Sequence, residues 1–380
     1  MLNLFWISVS ILAYHLIGYG LLLKLINIFV QRNKELDISN IDLPTITVLC
    51  PAYNEEDVIE EKIESFLNLD YPKEKIRMMI ISDDSTDNTN VIVNKYSEKG
   101  YIELVVQKPR KGKQCGHNLV EPTIDSDYVL STDANSIFQP DAVIQLLKVM
   151  LHDDQIGMVS GELKLNSPDG QDSGEGLYWK YESFLKRSES NLYSIIGSNG
   201  SVFLIKRELF TQVDAASVDD FERTLITLNK GFKAKYAPNA IVFEGVSIHA
   251  KEEVERKIRI IAQEWFAIRR QKKVFANPVS AFMLISHKLI RWTFPLYSVG
   301  ILISSTAMYR SNLFLLFSII QLLGYSIGAF TINRKASFKS NKIFKLAAYI
   351  TAMNYSAVMA FIQFVKGKQF ATWNTIREDN

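Results

Sequence analysis

The sequence predicts an α/β domain, a mostly parallel sheet flanked by helices, with transmembrane helices at both ends. Three observations predict it. Between Pro44 and Leu151, short β-branched or apolar runs alternate with amphipathic stretches, the signature of strands and helices in turn. Residues 2–30 and 281–365 are rich in Leu, Ile, Phe and Tyr, whereas the middle has the mixture of a soluble domain. The 43 basic and 41 acidic residues nearly cancel, so no global field points to nucleic acid, and none is expected as a partner. Cys50 and Cys115 offer no disulfide framework, and a reducing, cytosolic setting for the middle is the simpler reading.

The run Leu2–Val30 carries only His15 and Lys24 as basic or acidic groups and is long enough to span a hydrocarbon core of roughly 30 Å. A signal peptide is disfavoured: no positive charge precedes the run, the run is too long, and no small-residue cleavage site comes after it. Residues 1–31 therefore read as an N-terminal anchor. Arg32 and Lys34 place the domain after this anchor in the cytoplasm.

A cytosolic domain is expected over 44–249. Its first strand, Thr45 to Cys50, ends in Pro51-Ala52-Tyr53-Asn54-Glu55; its second, Ile76 to Ile81, runs into Ser82-Asp-Asp-Ser-Thr-Asp-Asn-Thr89. A third, Ile102 to Val106, leads into Lys108-Pro-Arg-Lys-Gly-Lys113, and Tyr128 to Ser131 leads into Asp133-Ala-Asn135 ahead of a helix from Pro140 to Leu151. No Gly-x-Gly-x-x-Gly or Walker loop comes after any of these strands, which argues against a dinucleotide enzyme or a P-loop NTPase. Ligands of open α/β sheets bind at the carboxyl ends of the strands. Those ends here collect Tyr53 with Glu55, Asp83 with Asp87, and Asp133 with Asn135. Two oxygen donors two residues apart suit one divalent cation, which in turn can hold a diphosphate. Taken singly, each motif also has a plainer reading as turn or helix-cap chemistry.

Beyond Val159 the pattern is less regular: a long helix Gly174–Leu192, then Gly197-Ser-Asn-Gly-Ser201, a strand Val202–Ile205, and Asp219-Asp220 ahead of a helix reaching Asn229. Residues 250–280 hold a basic amphipathic segment suited to the lipid headgroup layer. The apolar region 281–366 divides into spans near 288–309, 312–330 and 343–365, with a tail over 367–380. Arg334, Lys335, Lys339, Lys342 and Lys345 favour the inside for the loop before the last span, and Lys366, Lys368 and Arg377 favour it for the tail. Three full crossings cannot satisfy both, so one segment is expected to be re-entrant or interfacial.

From Thr45 to about Trp292 the chain resembles a membrane-bound family 2 glycosyltransferase, akin to bacterial polysaccharide synthases. The resemblance rests on five motifs in order: Pro51–Glu55, Ser82–Thr89, Lys111-Gly-Lys113 with Asn118, Asp133-Ala-Asn135, and Val218-Asp-Asp220 in the place of a Thr-Glu-Asp motif. It implies a GT-A fold, a UDP-sugar donor, Mg²⁺ or Mn²⁺, and inverting transfer to a glycan or lipid-linked acceptor at the inner membrane. It further implies that Pro51, Ala52, Tyr53, Glu55, Asp83, Lys113 and Asp133 surround the nucleotide sugar and that Asp133, with Asn135, also holds the metal. Asp220 would be the base, and Ser198, Asn199, Gly200, Asp219, Gln263 and Trp265 would lie at the acceptor. Membrane lipid and export or polymerisation partners complete the expectation. The Gln-x-x-Arg-Trp pattern of processive synthases is absent; Gln263-Glu-Trp265 is the nearest stretch. Two other readings are a polyprenyl-phosphate glycosyltransferase and a catalytically silent nucleotide-binding subunit of an export complex. Retention of Asp83, Asp133 and Asp220 together argues against the last.

Overall fold

The computed structural model describes residues 1–30, 36–38, 40–166, 174–245, 250–332, 342–370 and 372. Arg32, Lys34, Arg334, Lys335, Lys339, Arg377 and the Lys342 side chain, on which the charge asymmetry partly depends, lie outside them.

Eight strands form one mixed sheet: β1 Ile46–Ala52, β2 Ile76–Ser82, β3 Glu103–Val106, β4 Tyr128–Thr132, β5 Ile137–Phe138, β6 Ile156–Asn166, β7 Val202–Lys206 and β8 Lys233–Gly245. Their spatial order is β3-β2-β1-β4-β7-β6-β8-β5. The first four in that order are parallel to one another, so the segments after β1, β2, β3 and β4 all leave the same edge. β7 then runs antiparallel to both β4 and β6, and β8 returns parallel to β6.

The strands are apolar on both sides because helices cover both. Val48 and Cys50 of β1 and Met78 and Ile80 of β2 pack with Ile59, Ile63 and Phe66 of α3 (Ile59–Leu67). The alternate residues Leu49, Met79 and Ile81 face Val120, Ile124 and Phe210 on the other side. Each such side chain contributes about 1.5–3 kcal/mol of apolar burial. A third cluster joins α8 (Asp219–Asn229) and α9 (Ala250–Arg270) through Phe221, Leu225, Ile261 and Ala262 to Trp292 and Ala360 of the C-terminal region.

Three helices among the described residues are long and apolar enough to cross a membrane: Leu2–Phe29, Asn312–Ile332 and Ile343–Val365. The first contains a π-helical turn at Tyr14–Gly18. The span expected near 288–309 is broken instead. A π-helical turn at Ile285–Leu289 and a short helix Ile290–Trp292 stop at Thr293, and the helix Phe294–Ala307 restarts with proline in its first turn. The helix Lys342–Val365, here called α14, packs alongside α9. Phe364 stacks on Trp265 at 5.9 Å, Lys257 lies 5.0 Å from the Tyr349 ring, and the Gln263 amide donates to the Phe370 carbonyl.

Candidate active site

The turns after β1 and β2 are stitched together by their own polar residues. Asn54 and Asp84 both take left-handed backbone conformations, at φ 53° and 60°, which short polar side chains tolerate best. Asn54 Oδ1 accepts the Thr86 amide at 2.9 Å, and the Glu55 amide donates to Thr89 Oγ1 at 2.8 Å. Asp87 accepts from the Thr89 and Glu56 amides, which makes it a turn and helix-start residue. Glu55 is buried beneath this turn, and Ala52 is spent in the sheet, its carbonyl accepting the Asp83 amide at 2.8 Å. Of the Pro51–Glu55 set, Tyr53 is the half-buried ring, with the Arg110 guanidinium 3.4 Å above it.

Asp83 organises the basic loop. Its carboxylate accepts the Lys111 amide at 2.8 Å, the Gly112 amide at 2.9 Å and the Gln107 side-chain amide, with Arg110 Nε 3.7 Å away. Gly112, at φ 92°, supplies a backbone turn that L side chains rarely adopt. Lys113 then starts the helix Lys113–Val120, here α5, and its Nζ sits 2.7 Å from Asp133 Oδ1. Burial opposes its charge, yet Asp133 and Asp219 together hold its pKa above the ordinary lysine value. Asn118, on the same helix, forms a reciprocal amide pair with the Val213 backbone.

The Asp133–Asn135 turn rests on a residue that the sequence reading passed over. Lys62 of α3 is fully buried; its Nζ donates to Thr132 Oγ1 at 2.7 Å and to the Ser136 carbonyl, and lies 3.6 Å from the Phe138 ring centre. Burial drives its pKa down to about 8. Thr132 in turn donates to the Ser201 carbonyl at 2.9 Å, tying this turn to the Ser198–Ser201 loop. With Lys113 on one oxygen, the Asp133 side chain is still 38% exposed, and Asn135 is exposed beside it. Among the described residues no cluster of three or more His, Cys, Asp or Glu side chains is suited to a metal. The protein thus offers one carboxylate and one amide oxygen. That set fits a hard cation which keeps water and takes its remaining ligands from a substrate diphosphate.

Asp219 and Asp220 open α8 and have opposite surroundings. Asp219 is buried: Oδ1 is held by Arg223, and Oδ2 has Ser131 Oγ and His117 Nδ1 each at 3.2 Å. Burial alone would raise its pKa, but Arg223 and His117 take it well below the carboxylate range. Expected at the acceptor, Asp219 has both oxygens facing partners within the protein. Asp220 is half-buried, and its pKa is pushed up to about 6 by burial and by the nearby Glu264 carboxylate. The glycine-containing loop lies against it: Ser198 Oγ donates to the Asp220 carbonyl at 3.0 Å, and a Cβ on Gly200 would stand 3.6 Å from Asp220 Oδ2. Asn199 is anchored through its amide to Ser160 Oγ at 2.8 Å.

Gln263 and Trp265, also expected at the acceptor, face other parts of the chain. Gln263 is bonded to Phe370, and Trp265 packs among Trp292, Phe361 and Phe364, because both turn toward α14. The residue between them, Glu264, is the one whose charge reaches Asp220. Sequence reasoning missed it, as it missed Lys62, Lys186 and Lys288. No periodic signal singles them out; only the fold brings them to the site.

Residues 47–213 match the sequence profile of Glycosyl transferase family 2. A probable glycosyltransferase of Bacillus subtilis is 29% identical over 225 residues, covering 53% of this chain and 51% of that protein. A poly-β-1,6-N-acetyl-D-glucosamine synthase of Staphylococcus aureus is 28% identical over 249 residues, covering 63% and 57%. The chain thus spans about half the length of the curated relatives it matches. Among solved structures, a mannosyltransferase of Pyrobaculum calidifontis in complex with GDP-mannose and Mn²⁺ superimposes with a TM-score of 0.71 at 21% identity, covering 96% of this chain and 100% of that one. The sheet order, the strand-end turns and the matched region agree with one another: residues 47–213, which match a family 2 glycosyltransferase, lie within the α/β domain, and apolar helices stand on either side of it.

Proposed function

We propose that the protein transfers a sugar from a nucleotide-diphosphate donor to an acceptor hydroxyl with inversion at the anomeric carbon, and that Asp220 is the base. The observation that carries this reading is the contrast within one helix start. Asp219 is locked in ion pairs, while Asp220, beside the open Gly200, keeps a proton affinity near neutrality, where a general base works best.

In this reading the nucleotide lies over the turns after β1 and β2, with Tyr53 and the Asp83-held loop against base and ribose. Lys113 and Asp133 lie on the diphosphate side. A divalent cation bound between Asp133 and Asn135 would offset charge on the departing diphosphate. The acceptor oxygen approaches past Ser198–Ser201, gives its proton to Asp220 Oδ2, and bonds to the anomeric carbon as the bond to the diphosphate breaks. UDP is the donor nucleotide we favour, since the Staphylococcus relative is named as a synthase of an N-acetylglucosamine polymer. The Pyrobaculum neighbour was solved with GDP-mannose, so both donors belong in the test.

The C-terminal segment through Phe370 is proposed to end on the cytosolic side. Gln263 reaches Phe370 from α9, a helix of the catalytic side, which requires an even number of membrane passes after the domain. A single cysteine at Lys366 is expected to react with an impermeant maleimide only after cells are opened; labelling of intact cells overturns this topology.

Detergent-purified protein incubated with labelled UDP-sugars or GDP-mannose, Mn²⁺ and membrane lipid extract tests the activity. Transfer by the wild type that is lost in Asp220→Asn, with nucleotide binding kept, is the expected result. Binding without transfer under every condition would overturn the proposal.

A further inference from the structure

Charged groups from four elements act on the Asp220 carboxylate. Lys113 comes from α5, Lys186 from the helix Gly174–Leu192, Glu264 from α9, and Lys288 from the π-helical turn Ile285–Leu289. Glu264 is 6% exposed and its Oε1 lies 3.3 Å from Lys288 Nζ. Lys288 also passes close to the Ser198–Ser201 loop: a Cβ at Gly197 would stand 3.4 Å from its Nζ. The turn that carries Lys288 is itself pinned. His287 Nδ1 and Nε2 lie 2.8 and 3.1 Å from Glu189 and Glu182 of the helix Gly174–Leu192, and Arg291 lies 3.0 Å from Glu182.

A carboxylate that feels the charge of a second one is harder to ionise, and Glu264 acts on Asp220 in this sense. Lys288 is paired with Glu264, and its charge acts on Asp220 in the sense opposite to that of Glu264. We propose that Glu264 and Lys288 are positioning residues that set the protonation of the base, so that elements outside the family-matched region 47–213 tune the transfer step. The inference rests on Asp220 being the base. Removing the Glu264 charge makes Asp220 a stronger acid and a weaker base. Removing the Lys288 charge does the reverse.

The test is the acid limb of the pH–rate profile for nucleotide release by the full-length protein in detergent, with UDP-N-acetylglucosamine or GDP-mannose, Mn²⁺ and lipid extract. Glu264→Gln is expected to move the limb to lower pH by about one pH unit, and Lys288→Met to move it upward by a similar amount. The double variant is expected to fall between them, near the wild type. Where a neutral replacement loses nucleotide binding, Glu264→Asp and Lys288→Arg keep the charges but move them, and Glu264→Asp shifts the limb the same way as Glu264→Gln by less. Limbs that stay in place, or that shift in the same direction in both single variants, overturn the proposal and leave Glu264–Lys288 a structural joint. Transfer surviving in Asp220→Asn instead overturns the base assignment itself.

Discussion

The proposed donor side and the proposed acceptor side of the site are built by different means. On the donor side, polar residues at the ends of parallel strands satisfy one another over short distances: Asp83 holds the Lys111 and Gly112 amides, Asn54 holds Thr86, and Arg110 covers Tyr53. On the acceptor side, the surroundings of Asp220 come from α8, α9, the Ser198–Ser201 loop and a turn beside the membrane helices. The first arrangement can form within the α/β domain alone. The second needs the C-terminal region to be docked. Donor recognition and acceptor activation are thus separable in principle, and substitutions should affect one without the other.

The largest effect is expected from Asp220→Asn, which should lower transfer by roughly 10²–10⁴-fold with nucleotide affinity unchanged, read by initial rates and calorimetric titration. An equal loss of nucleotide binding would erase the contrast between the two sides. Next is Arg223→Met, which leaves the buried Asp219 charge without its main partner; denaturant unfolding should show a loss of about 3–5 kcal/mol. Asp83→Ala acts on the opposite side. It strands the loop amides at a cost of about 1–3 kcal/mol, and should weaken nucleotide binding about tenfold to a hundredfold while bound donor reacts at a near-normal rate.

The smallest effect is one of stability. The pKa of Asp220 in the folded protein stands at about 6, above the ordinary carboxylate value, so the fold favours the protonated form. That preference contributes fully at pH values below the ordinary carboxylate pKa and is lost as pH rises through about 6. Asp220→Asn should therefore melt above the wild type at pH 8, with the gap closing toward pH 4 in thermal scans. A gap that widens on acidification would mean that Asp220 is stabilised as an anion.

The same contrast governs how much of the molecule is legible in its sequence. Strands β1, β2 and β4 and their turns are legible because β-branched runs ending in Asp, Asn and Ser write both the strand and its end into contiguous residues. The start of α8 is legible too, but the division of labour between Asp219 and Asp220 is not, since His117 and Arg223 meet Asp219 only in three dimensions. Strand β8 carries the apolar run Ala240–Phe243, but Pro238 in its middle and Lys233 and Lys235 alternating at its start blur the strand signal. Gln263 and Trp265 draw attention as the residue types of a known motif, whereas Glu264 between them reaches the site. A helix of this kind has two inward faces, one on α8 and one on α14, and spacing alone does not say which partner each face meets.

Gly200 leaves the space next to the Asp220 carboxylate empty, and a methyl group there would make ordinary contact at 3.6 Å without clashing. Position 200 is therefore an adjustable stop. Successively bulkier residues would narrow the approach to the carboxylate by degrees, so under the proposed function the size of molecule that can be glycosylated becomes a quantity an engineer can grade at a single codon, with the proposed nucleotide side left alone.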